Sequence, residues 1–452
     1  MWIRFLCLGS AVICYSAEAT AKEDTAEEGE IKTVEEGIAA ALETNNAWRA
    51  QKTEEKSAEA NLSQSRKLLW LPNVSASVGS NRNGADGYQT SDSLNGDPIR
   101  TRINSKSTQT SVGVSVTQNI FSGFSNYNRT NAAKCTKEAA HHKLKFEEVR
   151  LVLNVLNIFT SIWVGRQKNK ALTQKEDNLK KTADSKNSSM EAGLGTPTEV
   201  AQANANYQKA IYERIQAETE LVTAESEFEK LTGKKPARNI ELPRLKFPLP
   251  ETLDKLIEQA KVANHSILAA KQEEQAERYN LNAAKGALLP SCDLSMDASK
   301  SLNKQKYNDH RHTYSASVRV TFPIYSNSPS SGNAFSAIEL ANLRLHKASC
   351  TTKDVEKNVI TECTTEWHKY RSVDASIEAG RSAVNFAALS AEGSSAEEIA
   401  GVKSSVEILV AENERLDARI NLITSLKEKV MSEAKIYALM GKLEYKNVVH
   451  SK

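Results

Sequence analysis

Residues 286–299 read GALLPSCDLSMDAS, and residues 67–79 read KLLWLPNVSASVG. Each stretch ends a charged, alanine-rich segment with an apolar run and a proline, Pro290 in one case and Pro72 in the other. After each proline, apolar and polar residues alternate, which is the two-residue period of a half-exposed β-strand. The chain is therefore predicted to pass from helix to strand twice, at points 218 residues apart.

Other landmarks recur in the same order along the chain. Gly193 and Gly401 are 208 residues apart, and the same offset relates LTG at 231–233 to LMG at 439–441. Self-similarity at a fixed offset is the sequence signature of a repeated structural unit. The chain is predicted to contain two copies of one unit, each with short helices, two strands, a very long helix, a glycine turn and another long helix.

The repeat divides the chain into five predicted parts. These are a signal peptide (1–19), a first repeat (33–233), a linker (234–250), a second repeat (251–441) and a C-terminal tail (442–452). The linker is assigned because four prolines among its 17 residues interrupt both the helical and the strand pattern. The glycine turns of the two long hairpins are expected at Gly193 and Gly401.

The N-terminus has the features of a secretory signal peptide. MWIR supplies a positive charge, FLCLGSAVICYS an apolar core, and Ala17-Glu18-Ala19 a small-residue cleavage site. Ala19-Thr20-Ala21 is a competing site, so cleavage is expected after Ala19 or Ala21. Beyond the signal no run of eighteen apolar residues occurs, and no transmembrane helix is expected.

Strands are therefore the elements that could cross a membrane, provided that they close into a barrel. Four are predicted, at about 73–80, 108–119, 291–299 and 312–323. Their polar faces carry mostly small side chains, which suits a water-filled lumen behind an apolar exterior. Four strands cannot close around a lumen, whereas three chains would supply twelve. The fold class is thus mainly α with β, in a trimer with a shared barrel.

Four aromatic residues lie where the helices are predicted to meet the strands, namely Trp70, Phe121, Phe124 and Tyr325. Membrane barrels carry aromatic girdles at the lipid–water interface, and these side chains are predicted to form one. Ordinary packing at a junction between helix and sheet is the alternative.

The composition argues against several classes of function. The net charge is +3, with 59 basic and 56 acidic residues intermixed, so no nucleic-acid partner is expected. Nucleotide-binding glycine loops, metalloprotease motifs and nucleophile elbows are absent from the sequence. The chain is not expected to be an enzyme or to need a metal or cofactor.

The signal peptide, the duplicated unit, the strands after LLWLP and ALLP, and the stretch EAGLGTPTEVAQANANYQKA (191–210) together resemble the TolC family of outer-membrane efflux and secretion channels. The resemblance covers about 33–443. It implies a homotrimer with a twelve-stranded barrel in outer-membrane lipid. A long α-helical coiled-coil barrel would continue from it into the periplasm.

The resemblance also implies a periplasmic gate near the glycine turns. The gate residues expected on this basis are Glu199, Lys403 and Glu407, with Lys403 bonding Glu199. The turns that dock a periplasmic adaptor would be Gly193, Leu194, Gly401 and Val402. Rings of carboxylates around a narrow pore attract cations. The alternative is that these are ordinary solvated charges on helix ends.

The function implied is a passive exit duct in the outer membrane, serving a tripartite efflux pump or a type I secretion system. Its partners would be a periplasmic adaptor, also called a membrane fusion protein, and an inner-membrane transporter. One alternative is a trimeric coiled-coil surface adhesin or envelope scaffold, and another is a periplasmic adaptor itself.

Overall fold

The computed structural model describes residues 30–92, 98–243, 248–304, 308–323, 327–328, 332–399 and 404–443. Within these ranges the protein is mostly helical, with one four-stranded sheet and one small two-stranded sheet. The predicted signal peptide lies outside the described residues, as does all but the first two residues of the predicted tail.

The first half contains six elements. They are α1 (Val34–Thr44), α2 (Asn46–Trp70), β1 (Asn73–Asp92), β2 (Pro98–Ser122), α3 (Ser125–Glu191) and α4 (Pro197–Thr232). Asn45 separates the first two helices, and its side chain accepts a hydrogen bond from the Trp48 N–H at 2.9 Å. This is the N-cap role for which asparagine is favoured.

The second half follows the same order, with an added pair of very short strands. Its elements are α5 (Leu253–Ala263), α6 (His265–Gly286), β3 (Ser291–Lys304), β4 (Asn308–Thr321), β5 (Asn327–Ser328), β6 (Gly332–Asn333), α7 (Ala334–Ile399) and α8 (Ser405–Leu439). Asn264 caps α6 as Asn45 caps α2, since its side chain accepts from the Ser266 N–H at 2.9 Å.

The four long strands pair antiparallel in the order β1-β2-β3-β4. In this register Val74 faces Val116, Val116 faces Met296, and Met296 faces Ala316. Because residues two apart share a face, the even-numbered apolar residues of all four strands lie on one side. The predicted alternation is confirmed.

The strands are longer than predicted. Residues 81–92 and 98–106 continue β1 and β2, and 301–304 and 308–311 continue β3 and β4. Beyond Ser80 most side chains of β1 are polar on both faces, and Ala85 and Tyr88 are isolated apolar residues, so the hydrophobic period disappears. Backbone pairing continues, because it does not depend on that period.

The main hydrophobic core lies midway along the long helices. Val152, Val155, Phe159 and Ile162 of α3 are almost completely buried there. The other large, fully buried side chains of this core come from several helices and the residues just after α8: Ile38, Leu156, Phe228, Leu256, Ile267, Ile436, Met440 and Leu443. Helices α1, α3, α4, α5, α6 and α8 therefore all contribute large, fully buried side chains to the same cluster.

One helix of the described residues, α3, is long and apolar enough to span a membrane by length and composition, with a mean hydropathy of 1.2 over its most apolar segment. Half of that segment is buried inside the protein. Packing in the core accounts for its apolar character.

Helices α3 and α4 form a hairpin with a seam of small residues. Ala210 and Ala217, seven residues apart on α4, are 2% and 1% exposed. Small side chains allow two helices to approach closely along their length. At ~1.5 Å per residue, the 67 residues of α3 extend about 100 Å.

The described part of the predicted linker packs against the core. Ile31 forms a parallel bridge with Pro236, and Ala237 and Ile240 are buried. The Arg166 guanidinium of α3 donates hydrogen bonds to the carbonyl oxygens of Ala237 and Arg238, at 2.5 and 2.7 Å. The described part of this segment therefore packs on the helices at the level of the core.

Candidate functional site

The chain leaves its helices and enters the sheet through a tight glycine contact. Gly123 and Phe124 have left-handed backbone, with φ of 60° and 64°. A Cβ on Gly123 would collide with the carbonyl oxygen of Gly286, and one on Gly286 would collide with that of Gly123. Only glycine at both positions allows α6 and the end of β2 to lie this close.

Three of the predicted interface aromatics lie at the ends of the helices and strands. Trp70, at the end of α2, is 83% exposed, and Phe124 is 58% exposed. The rings of Phe121 and Phe124 pack edge to face with centroids 5.2 Å apart. Tyr325 lies outside the described residues. Three of the four aromatics are thus placed where helix meets strand.

The sheet exposes a broad apolar face. Val78, Tyr314, Val318 and Phe322 are 64–78% exposed, although such side chains are usually buried. Large exposed apolar patches mark surfaces that contact a membrane or another protein.

The opposite face of the sheet is polar and hydrogen-bonded. Asn119 donates to Asp293 at 2.6 Å, and the hydroxyls of Ser295 and Ser317 are 2.8 Å apart. One face of the sheet therefore suits lipid and the other suits water.

At the other end of the first hairpin, Gly193 makes the turn between α3 and α4. Its φ is 76°, and nothing lies within contact distance of where a Cβ would be. The Gly193 N–H donates to the Met190 carbonyl at 3.0 Å and the Leu194 N–H to the Ser189 carbonyl at 2.9 Å. Leu194 is 87% exposed at the tip, so a large apolar side chain is presented to solvent.

Glu199 lies in the first turn of α4, where its backbone N–H donates to the Thr196 hydroxyl at 3.3 Å. Its carboxylate forms an ion pair with Lys186 of α3 at 3.2 Å. Lys186 was not singled out by the sequence reasoning. Its position could have been found, because it precedes Gly193 by seven residues while Glu199 follows by six.

The corresponding turn of the second hairpin is only partly described. Gly401, Val402 and Lys403 lie outside the described residues, so the expected bond between Lys403 and Glu199 stays a prediction. Glu407 is exposed in the first turn of α8, and its N–H donates to the Ser404 carbonyl at 3.0 Å. A carboxylate at a helix N-terminus is favoured by the helix dipole.

Polar contacts also join α3 to α8, which belong to different hairpins. Lys175 pairs with Asp417 at 2.9 Å, and the buried amides of Asn178 and Asn413 meet at 3.3 Å. Closer to the hydrophobic core, the Lys427 ammonium of α8 donates to the Ser161 hydroxyl of α3 at 2.7 Å. Burial is the main cause that lowers the pKa of Lys427. These contacts fix the second hairpin beside the first.

The protein combines long helical hairpins with a sheet that has one apolar and one polar face, and close glycine contacts join the two. These features define the class of proteins that have a membrane-embedded part and a water-exposed part. The sequence profile described as outer membrane efflux protein matches residues 37–234 and 256–442. The chain belongs to this outer-membrane efflux protein family.

Individual relatives agree with this assignment. The chain is 26% identical over 335 residues to the outer membrane efflux protein BepC of Brucella suis biovar 1, covering 73% of this chain and 71% of BepC. It is 24% identical over 271 residues to the outer membrane protein TolC of Vibrio cholerae serotype O1, covering 57% of this chain and 60% of TolC.

The fold agrees as well. The outer membrane channel CmeC of Campylobacter jejuni superimposes with a TM-score of 0.76 at 15% identity, covering 91% of this chain and 86% of CmeC. The predicted family, functional class and outer-membrane location are confirmed. The adhesin, scaffold and adaptor alternatives are set aside, because the profile spans both hairpins and all four long strands.

Proposed function

We propose that three copies of this chain form a passive exit duct for an efflux pump or a type I secretion system. The observation that carries the proposal is the four-stranded sheet, whose apolar face is exposed and whose order leaves β1 and β4 at the two edges. Lipid cannot satisfy the backbone groups of an open edge. Threefold closure would pair β4 of one chain with β1 of the next and complete a twelve-stranded barrel.

The same closure would arrange the helical hairpins as a tunnel below the barrel. The repeated order of elements, and two profile matches that fall close to 33–233 and 251–441, support an internally duplicated chain. The linker at 234–250 would lie at the equator of the tunnel, since its described residues pack on the mid-helix core. Transport through such a duct needs no catalytic group in this chain.

The periplasmic partners would meet the tunnel at the hairpin tips. Leu194 and the turn at Gly193 expose apolar side-chain and backbone surface there, and the turn at Gly401 and Val402 would supply the second contact. A periplasmic adaptor engaging these turns would connect the duct to an inner-membrane transporter.

A matched pair of neighbouring residues tests the barrel. Val318 lies on the apolar face of β4 and Ser317 on the polar face. Val318→Arg is expected to lower the stability of the membrane-inserted trimer by about 1–2 kcal/mol per chain, because it would place a charge in lipid one row inside the edge of the apolar band. Ser317→Arg should have much less effect, because its side chain would enter water.

The measurement is the yield of crosslinked trimer in the outer-membrane fraction and its conductance in planar bilayers. Equal losses from the two variants, or a monomer without conductance in the unmodified protein, would refute the duct.

The gate is tested by charge reversal at the tips. Lys186→Glu and Lys403→Glu would each bring a second negative charge toward Glu199, and both are expected to raise single-channel conductance. An exposed ion pair contributes only about 0–1 kcal/mol. Summed over three copies, even that range could shift a two-state entrance by up to about a hundredfold.

Glu407→Ala should weaken cation preference and block by multivalent cations, because it removes the proposed carboxylate ring. Lys255→Glu on α5, far along the chain from both turns, is the control and should leave conductance unchanged. If the tip variants also conduct and select like the unmodified protein, the gate lies elsewhere.

A further inference from the structure

Basic side chains lie on the apolar side of the sheet, close to the level where its apolar residues end and beyond it. Arg82 of β1, Lys106 of β2 and Lys300 of β3 occupy even positions, on the same face as Val78 and Val112. All three side chains are exposed. We call these three residues the basic rim.

The register places the basic rim at a definite height on the sheet. Apolar residues occupy most of this face of β3 from Cys292 to Leu302. Ten residues at ~3.4 Å rise and ~45° tilt span about 24 Å, close to the ~25 Å apolar band of membrane barrels. Arg82 and Lys106 follow one and two rows beyond the row of Leu302 and Thr110.

Lys300 lies one row inside that limit, opposite His312 and Val112. A lysine at this depth can extend its alkyl chain along apolar surface and keep its ammonium at the boundary. All three basic groups can therefore reach the level at which lipid head groups begin. Arg82 and Lys106 are diagonal neighbours on paired strands, about 7–8 Å apart between Cα atoms.

The charge differs between the two faces of the sheet. Among the side chains that the structure describes, one acidic residue, Asp86, lies on the apolar side of the sheet. It forms an ion pair with Arg102 at 3.6 Å. The polar face carries Asp293, Asp297, Arg311 and Arg319, where acidic and basic charges balance. The excess positive charge is thus confined to the side that would meet lipid.

We propose that the basic rim binds the phosphate groups of net-negative lipids in the outer leaflet. This inference rests on the proposed function, which places the apolar face in the outer membrane. Lysine and arginine form strong charge-assisted hydrogen bonds to phosphate. A basic residue near an anionic bilayer surface contributes about 1 kcal/mol to binding, which corresponds to about a fivefold gain in affinity.

The test measures lipid binding to the purified trimer of the full chain. Native mass spectrometry would count bound phosphatidylglycerol, which is net-negative, and phosphatidylcholine, which is zwitterionic. The triple variant R82Q/K106Q/K300Q is expected to bind phosphatidylglycerol on the order of a hundredfold more weakly. Its binding of phosphatidylcholine should be unchanged. Salt at about 1 M, where the Debye length is about 3 Å, should remove most of the difference.

The matched control is R311Q/R319Q, which removes two positive charges from the polar face and should leave the lipid preference intact. Equal loss in the control, or wild-type lipid preference in the triple variant, overturns the proposal. Displacement of phosphatidylglycerol by an equal concentration of inorganic phosphate also overturns it, because the rim would then recognise a free anion.

Planar-bilayer conductance on the same preparations separates the two proposals. A conducting trimer without lipid preference refutes the basic rim alone. A preparation that forms no conducting trimer refutes the duct.

Discussion

Gly123→Val should prevent the chain from assembling in the outer membrane. The residue has a left-handed backbone, where a β-branched side chain is strained by about 1–3 kcal/mol. Its Cβ would also overlap the Gly286 carbonyl oxygen and lie 2.7 Å from the Leu289 Cβ, at an overpacking cost of another ~1–3 kcal/mol. A total of about 4 kcal/mol in each protomer is a large part of a typical folding free energy.

The measurement is the amount of protease-resistant trimer in the outer-membrane fraction, compared at equal expression. Gly84→Val is the matched control, because nothing lies within 4 Å of a Cβ at Gly84 and valine is favoured in strands. Trimer from Gly123→Val at the level of this control would contradict the tight junction.

Lys435→Met is expected to destabilise the second hairpin by about 3 kcal/mol. Lys435 of α8 pairs at 2.8 Å with Glu366 of α7, whose side chain is 9% exposed. Removal of the lysine leaves a buried carboxylate without its charge partner, which costs more than the pair itself contributes. The value is at the low end of the usual range, because Lys435 is 39% exposed and water reaches that side.

The change would be read as a lower urea midpoint for loss of helical circular dichroism. The exposed pair Lys255–Glu251, at 2.7 Å, provides the comparison: Lys255→Met should cost less than about 1 kcal/mol. Glu366→Gln should be milder than Lys435→Met, since it removes the buried charge itself. If the midpoints of Lys435→Met and Lys255→Met coincide, burial of Glu366 does not control this contact.

Hydrophobic periodicity was sufficient to locate the elements but not to find their ends. The prolines at 72 and 290 marked the starts of β1 and β3. The alternation of apolar and polar residues located all four long strands, because one face of each is apolar. Past Ser80 neither face of β1 is continuously apolar, and Gly84, Gly87 and two asparagines resemble a loop. Only pairing with β2, which is a property of two segments together, reveals that β1 continues to Asp92.

For the candidate site too, features set by nearby sequence could be predicted, whereas contacts between distant residues could not. The turn at Gly193 was predictable from its repeat at Gly401, and Glu199 from the resemblance to the TolC family. Pairing of Glu199 with Lys186 depends on how α3 and α4 align across the hairpin. Contact between Gly123 and Gly286 joins residues 163 positions apart, and no local pattern relates them.

The unequal lengths of the strands have a consequence for what the cell presents to its surroundings. Among the described residues, β2 pairs with β1 alone beyond Thr108, so about ten residues of each strand form a ribbon that rises roughly 30 Å along its own axis. In a threefold assembly the outer rim of the barrel would be uneven, because three long β1–β2 ribbons would alternate with three shorter β3–β4 pairs. Two-stranded ribbons are marginally stable by themselves, and their outer edges offer unpaired amides and carbonyls. Proteases and antibodies outside the cell would encounter these ribbons first, and cleavage there would leave the four-stranded wall below intact.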